Sequence, residues 1–389
     1  MKKVLIVIDN LNTGGVATSF YNFLSEMCTE AEFDILVFNE NSIDADKIPS
    51  NVNIINTQKI LHILGKTHKE ITLESKYLSF IQLILKVISR MINGFWARKL
   101  LMPFIKDVGD YDVAIAYSQD DAWKNLSKGC IDFVLCKCNA KLKSTIIHCD
   151  YKRFGGYDSK QVRQYDGLNR IICVSESCKE SFIECFPSLS NKTVVCENFI
   201  NVEDIVIRSM SNPVAYSPNT VNFVTVCRIS KEKGLCRTVN AFSDIEKKGF
   251  KNYKWMIVGD GPEKKELEKI IKDRGLSNRI VLAGNKKNPY PYIKNATFFL
   301  LTSENEAAPM VFGESAVLGV PIITTKTCSA VELVEKRNLG WVVENSQAGI
   351  ETGIENALLG KYNEFKAINI ENLNDIPHKQ FSKLFKDAQ

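Results

Sequence analysis

Glu306 and Glu314 are separated by seven residues, and that spacing is the first sign of chemistry in this 389-residue chain. They lie in 303–323, between two short β-branched apolar runs, so the segment reads as a loop opening into a helix. Pro309 suits the first helical turn, where its missing N–H is no loss. The backbone around Ala308, Pro309, Met310 and Val311 then presents a helix N-terminus, a ready anion site. Glu306 falls on the loop, where a carboxylate can touch a reacting group. Glu314 falls about one turn into the helix, where it can accept hydrogen bonds from sugar hydroxyls. The same spacing also suits a surface helix with two solvated carboxylates.

Two cations, Arg228 and Lys233, follow another apolar run. Cations at a strand tip suit a diphosphate through charge-assisted hydrogen bonds; a solvated basic turn is the plain alternative. Gly259 and Gly261 follow a third run, in Val258-Gly259-Asp260-Gly261-Pro262. Such glycines either admit a ligand close to the backbone or make a tight strand-to-helix turn. Lys264 occupies the third position of a G-x-G-x-x-G fingerprint, so a nicotinamide site is not expected.

The elements that must position these residues alternate in type. Strands are expected at 4–8, 33–38, 52–55, 111–117, 145–148 and 170–174, with helical periodicity over 16–27 and 76–105. After Asn198 the rhythm restarts. Strands are expected at 222–227, 254–258, 279–283, 297–301 and 320–324, and helices at 234–246, 263–274 and 310–318. This alternation implies right-handed βαβ crossovers and parallel sheets. The polar run 201–219 carries Ser-Met-Ser-Asn-Pro and Ser-Pro-Asn turn signals and marks the boundary. The expectation is an α/β protein of two doubly wound, Rossmann-like domains, 1–200 and 201–365, facing each other across a cleft, with a C-terminal segment 366–389. Ligands bind beyond the carboxyl ends of such strands, so the cleft is the expected site.

Composition narrows the class. Hydrophobic residues make up 45% and charged residues 24%, which excludes a mainly disordered chain. The net charge of +5 is unevenly spread: 59–106 holds nine Lys or Arg against Glu70 and Glu74, an excess of +7 that leaves the remainder at −2. No nucleic-acid reader motif accompanies the charge, so nucleic acid is not an expected partner. The stretch is interleaved with Phe80, Phe95, Trp96 and Phe104. It reads either as a surface for an anionic membrane or as an ordinary domain helix with its apolar face inward; the charge favours the membrane. The opening apolar run stops at Asp9, too short for a signal peptide, and no segment reaches the roughly 20 apolar residues of a spanning helix. The expected location is the cytoplasm, peripherally at the inner face of the cell membrane. The 12 cysteines form no dense framework, and those inside apolar runs (Cys173, Cys196, Cys227) read as buried free thiols. Cys136-x-Cys138 lacks a second pair, and His62, His68 and His378 show no ligand spacing, so zinc is not expected.

Read in order, Gly14-Gly15, Arg228 to Lys233-Gly234, Gly259-Asp260-Gly261-Pro262, Asn288-Pro289-Tyr290-Pro291-Tyr292-Ile293, Glu306-x7-Glu314 and Gly319-Val320-Pro321 resemble family 4 glycosyltransferases of the GT-B fold. The wording is most similar to bacterial capsule, O-antigen or cell-wall polysaccharide members, from residue 4 to about 346. The resemblance implies that Arg228 and Lys233 bind the donor diphosphate, that Glu314 binds the ribose and that Glu306 contacts the transferred sugar. It implies donor contacts from Gly259, Gly261, Ala308, Pro309, Met310 and Val311, and a first-domain loop at Gly14 and Gly15 facing donor phosphates and acceptor. A histidine often ends a comparable strand near the donor sugar, and His148 matches it; a structural role stays equally open. The implied reaction is retaining transfer without metal or cofactor, from a nucleotide-diphospho-sugar (UDP ahead of GDP) to a hydroxyl of a growing, lipid-linked glycan. Such proteins also work beside other glycosyltransferases. A last helix over 380–388 would cross back to the first domain.

Metal-dependent sugar transferases usually carry an Asp-x-Asp pair in the donor site. Two pairs occur here, Asp44-Ala45-Asp46 on a polar loop and Asp110-Tyr111-Asp112 at the amino end of a strand, both in the first domain and both read as structural. The chain departs from the common pattern at Ala307, where glycine is usual, at Ala308, where an aromatic is typical, and at Ser315, where alanine is usual. These positions bear on the donor sugar. The rival readings are a non-catalytic partner that keeps the fold and, behind it, a sugar-nucleotide epimerase.

Overall fold

The structure, a computed structural model, describes residues 1–12, 14–120, 124–153, 158–362 and 372–386. It divides into two compact units, Met1–Phe199 with the segment from Asn374, and Ile200–Leu373. The 365/366 boundary and the end of the expected last helix lie outside the described residues.

Val4 to Ile8 is apolar at five successive positions, the pattern of a strand covered on both faces. All five are fully buried in β1 (Lys3–Ile8), an interior strand of the first sheet. The other strands of that sheet are β2 (Glu32–Val37), β3 (Asn53–Ile54), β4 (Asp110–Ala116), β5 (Asn139–Ile147), β6 (Arg170–Cys173) and β7 (Thr193–Val195). The order is β3-β2-β1-β4-β5-β6-β7, with every pairing parallel. The chain reverses its direction of travel between β1 and β4, which makes a switch point there. The helix Asp375–Lys386 belongs to this unit, where Phe381 meets Phe23 edge to face at 4.9 Å.

The second unit repeats the plan with β8 (Val221–Val226), β9 (Tyr253–Val258), β10 (Ile280–Gly284), β11 (Phe298–Leu301), β12 (Ile322–Thr325) and β13 (Gly340–Val343). The order is β10-β9-β8-β11-β12-β13, again all parallel, with its switch point between β8 and β11. One face is covered by a core that includes Phe242 stacked on Trp255 and Tyr253, the other by a core around Met310, Phe312 and Ile293. These are two doubly wound, Rossmann-like units, the two halves of the GT-B class.

Two sequence expectations are corrected, and of the two readings of the basic stretch the one with its apolar face inward is set aside. The polar run 201–219 is not a linker throughout, because Asn201 caps the helix Val202–Ser209 by accepting from the Asp204 N–H at 3.0 Å. The helix expected over 76–105 is broken into Lys76–Met91 and Gly94–Leu101, followed by a 3₁₀ turn, Met102–Phe104. Asn93 leaves the helical path to cap the second piece through the Trp96 N–H, and Gly94 sits where a Cβ would lie 1.8 Å from the Asn125 carbonyl. Last, Lys76–Met91 does not turn its apolar face to the core. Its buried residues are Ser79, Gln82, Leu85 and Ser89. Two members of the basic stretch are also not surface charges: Arg98 is buried between Asp120 and Asp132, and Lys66 is buried against Glu74.

Candidate active site

The loops after β8 and β11 meet at the switch point of the second unit. After β8 the chain makes a 3₁₀ turn, Lys231–Lys233, closed by Gly234 in the left-handed region at φ +64. A side chain at Gly234 would stand 2.4 Å from the Thr302 carbonyl, so both the backbone conformation and the crowding require glycine. The Glu304 N–H donates to the Glu232 carbonyl at 2.7 Å, tying the two loops together. This local geometry aims Lys233 across the switch point at Glu306, Nζ to Oε1 at 2.5 Å. The Ser303 hydroxyl donates to the same carboxylate oxygen at 2.7 Å. Burial pulls the Lys233 amine down, but the charge and hydrogen bond of Glu306 outweigh it, and its pKa stands above the usual lysine value. Lys233 is therefore a fixed, partly buried cation.

Arg228 is exposed and forms no ion pair among the described residues. Gly259 and Gly261 are explained by packing. A Cβ at Gly259, where φ is +150, would lie 1.9 Å from the Cys227 carbonyl, and one at Gly261 would lie 2.2 Å from the Ile229 carbonyl. The Ile229 N–H also donates to the Asp260 carbonyl at 2.9 Å. These glycines let the β9 loop lie against the loop that carries Arg228.

Pro309 is the N-cap of the helix Met310–Val317, extended at ψ 126, rather than a residue of its first turn. The change follows from ψ: the residue before the first helical position keeps an extended backbone. The first N–H groups of that helix, from Met310 and Val311, have no intrahelical acceptor. Gly313 is demanded by Ile200, whose Cδ1 would be 2.4 Å from an added Cβ, and that close approach seats the next residue, Glu314, in the interior. Glu314 is 6% exposed, and no hydrogen-bond partner of its carboxylate is found among the described residues. Burial pushes its pKa up to about 7, with Arg208 pulling the other way.

In the first unit, Gly14 and Gly15 open the helix Gly15–Met27 with no side-chain cap. A Cβ at Gly14 would meet only the Asn12 carbonyl at 4.0 Å, and one at Gly15 would meet nothing among the described residues. Neither glycine is needed for packing, in contrast to Gly259 and Gly261. His148 follows β5; its Nε2–H donates to the Tyr117 carbonyl at 3.0 Å and its backbone N–H to Gln119 Oε1 at 2.9 Å. Burial lowers its pKa to about 4, against the pull of the Tyr117 carbonyl, so the ring is neutral at pH 7. Three of the four carboxylates of the Asp-x-Asp pairs are engaged within the fold. Asp44 pairs with Lys47, Asp112 pairs with Lys141 and accepts from the Lys3 N–H, and Asp110 accepts from Asn139. Among the described residues no group of three or more His, Cys, Asp or Glu is placed to hold a metal ion.

Residues 213–372 match the family model of glycosyl transferases group 1. That match falls within the second unit and its C-terminal border. The whole chain superposes on HepE from Anabaena, solved in complex with UDP and glucose, with a TM-score of 0.65 at 15% identity, covering 100% of both chains. An uncharacterized glycosyltransferase of Methanocaldococcus jannaschii is 28% identical over 47% of this chain and 44% of its own length. The N-acetylgalactosamine-N,N'-diacetylbacillosaminyl-diphospho-undecaprenol 4-alpha-N-acetylgalactosaminyltransferase of Campylobacter jejuni is 27% identical over 52% of this chain and 55% of its own length. The chain thus spans about half the length of these curated relatives.

The second unit therefore joins three features: an ion-paired lysine at the switch point, an open helix N-terminus, and a buried carboxylate with no hydrogen-bond donor among the described residues. Ser303 and Arg208 were not singled out from sequence. Ser303 was detectable as one of two hydroxyl residues, Thr302 and Ser303, directly past an apolar strand, whereas Arg208 lies about a hundred residues from Glu314 and carries no local signal.

Glu314 gives the second unit a measurable pH signature. Its folded pKa lies above the value of 4.5 for a free glutamate, so the folded state binds the extra proton between about pH 4.5 and 7. Stability present below that window is lost as the pH rises through it. Glu314→Gln is expected to match the parent near pH 4.5 and exceed it by about 1–2 kcal/mol near pH 8, since glutamine removes the charge but still buries an amide. Urea unfolding at the two pH values measures the difference; an equal difference at both would show that Glu314 does not titrate in this range.

Proposed function

We propose that the chain is a retaining, metal-independent glycosyltransferase that uses a nucleoside-diphosphate sugar, UDP ahead of GDP. Its acceptor is a hydroxyl of a growing, lipid-linked bacterial surface glycan. The observation that carries this reading is the Lys233–Glu306 pair held by Ser303 at the switch point of a group 1 glycosyltransferase unit.

Each residue has a role that its chemistry supports. Lys233, with Arg228 beside it on the same loop, neutralises the diphosphate as the bond from the anomeric carbon to the phosphate oxygen breaks. The N-terminus of Met310–Val317 adds its N–H groups and dipole to the same anion. Glu314 lacks a hydrogen-bond donor, and ribose hydroxyls supply one. Glu306, anchored by Lys233 and Ser303, has a second oxygen left to receive a sugar hydroxyl. The acceptor oxygen attacks the anomeric carbon on the face the diphosphate leaves, and a diphosphate oxygen takes the acceptor's proton. No enzyme nucleophile is needed, and the configuration is retained. Neutral His148 serves as a hydrogen-bonding group and not as a cation. Gly14 and Gly15 mark the first unit's open helix N-terminus for a phosphate or an acceptor hydroxyl.

The donor base and the lipid-linked acceptor draw support from the relatives: HepE was solved with UDP, and the Campylobacter enzyme's name includes a diphospho-undecaprenol. The engagement of Asp44, Asp110 and Asp112 within the first unit supports metal independence. The test is transfer from UDP- and GDP-sugars to undecaprenyl-diphosphate-linked saccharides, with and without EDTA, with the product's anomeric proton read by NMR. The expected product has the donor's configuration and forms equally in EDTA. An inverted product, or loss of turnover in EDTA that Mg²⁺ restores, would contradict the mechanism.

A further inference from the structure

The helix Lys76–Met91 is inside out for a soluble protein. Tyr77, Phe80, Ile84, Val87 and Met91 recur at three- and four-residue steps and line one side. That side is the exposed one: Tyr77 is 72%, Phe80 62%, Val87 55% and Met91 80% exposed. The opposite side buries Leu85 with three polar residues, Ser79, Gln82 and Ser89, whose groups are satisfied. Gln82 donates to the carbonyls of Ile63 at 3.0 Å and Lys66 at 3.2 Å, Ser89 to the carbonyl of Lys124 at 2.6 Å, and Ser79 pairs with Thr72 at 2.8 Å. Rotating the helix to hide its apolar side would break this set of bonds, so the outward side is fixed by the inward one. Ile92, Trp96, Leu100 and Phe104 continue the exposed surface through the following helix and 3₁₀ turn. Contiguous apolar surface of this extent on a folded unit marks a binding face.

The surrounding charge identifies the occupant. Lys69, Lys76, Arg90, Lys99 and Lys106 are exposed around the face, and Lys99 lies over the Trp96 ring at 5.4 Å. Along 75–106 the chain has no acidic residue. Aromatic and aliphatic side chains rimmed by lysine and arginine, without carboxylates between them, match the acyl boundary and phosphate layer of an anionic bilayer. Among the described residues no helix is long and apolar enough to cross a membrane. We infer that residues 76–106 of the first unit dock the chain onto an anionic lipid surface, with Phe80, Val87 and Trp96 entering the headgroup layer. The inference rests on this face alone and not on the transfer reading. A chain that fails to bind lipid can still transfer sugar, and the reverse.

The experiment is co-sedimentation of the full chain with phosphatidylglycerol vesicles and with phosphatidylcholine vesicles. Binding at least tenfold tighter to phosphatidylglycerol is expected, falling tenfold or more in 0.5 M salt. Phe80→Asp/Val87→Asp is expected to abolish binding, and Lys76→Glu/Arg90→Glu to remove the preference for phosphatidylglycerol. The melting temperature of both variants should be unchanged, because the replaced side chains are exposed. Absence of binding to either vesicle overturns the inference. So does concentration-dependent dimerisation that Phe80→Asp/Val87→Asp removes without any effect on vesicle binding, an outcome that gives the face to a second copy of the chain.

Discussion

On the proposed reading, Lys233→Ala is expected to lower kcat/KM for sugar transfer by about two to three orders of magnitude and to leave the melting temperature nearly unchanged. The rate effect follows from the charge that the transition state develops. As the diphosphate departs, it gains negative charge that a fixed, partly buried ammonium stabilises by about 2–4 kcal/mol. The small effect on the fold follows from the position of the pair at a strand tip, where its two side chains remain 20% and 14% exposed. Water therefore replaces part of what Lys233 gave to Glu306. Glu306→Gln should lose nearly as much, and the double variant little more than either single one, since the two side chains act as a unit. Steady-state kinetics of the three variants measures this. Additive losses would mean that the 2.5 Å contact is incidental.

Arg98→Ala destabilises the first unit by about 3–5 kcal/mol, the cost of stranding buried carboxylates without their partner. Arg98 Nε donates to Asp132 at 2.5 Å, its Nη2 to Asp120 at 2.9 Å and its Nη1 to the Asn125 carbonyl at 3.1 Å. The two acids are 1% and 0% exposed. Burial raises the Asp120 pKa to about 6, against the pull of Arg98. Removing the guanidinium therefore leaves two groups that must either carry unpaired charge or take up protons. Lysine has no planar fork to span two carboxylates, so Arg98→Lys should recover less than half of the loss. Urea unfolding measures both variants; a loss below about 1 kcal/mol for Arg98→Ala would show that the triad does not hold the unit together.

Arg98 also shows where sequence reading stops. In the one-dimensional chain it is one of nine cations in a basic stretch, and nothing local distinguishes it from Lys99, which is exposed. Its acids arrive 22 and 34 residues later. The central strands were legible because Val4 to Ile8 and its counterparts are too apolar to be anything but buried. The ends of the sheets were not. β7 and β13 span three and four residues, and β13 follows Asn338 and begins at Gly340, both at positive φ, which reads as a loop. The helix Gln347–Leu358 was hidden by its glycines. Gly349 and Gly353 lower helix propensity, yet they are there because a Cβ would meet the Glu344 carbonyl at 2.2 Å or Val343 at 3.0 Å.

At the candidate site, residue types and order were legible while partnerships were not. Glu306 and Lys233 were each singled out for a separate role, but their ion pair crosses 73 residues of chain and depends on Gly234 and the Glu304 backbone. The direction of the Lys76–Met91 stripe was equally out of reach. Periodicity defines two sides of a helix, and only the partners of Ser79, Gln82 and Ser89 decide which one turns inward.

The most direct measurement is thermal stabilisation of the full chain by UDP, GDP, ADP and CMP, each with and without EDTA, beside Lys233→Ala. A ligand at about 100 times its Kd stabilises the fold by about 2.7 kcal/mol. The account predicts a shift of that size with one nucleoside diphosphate, UDP first, unchanged by EDTA and largely lost in Lys233→Ala. The absence of a shift with all four nucleotides, or a shift that Lys233→Ala leaves intact, would contradict the claim that the second unit holds a nucleoside diphosphate at this lysine.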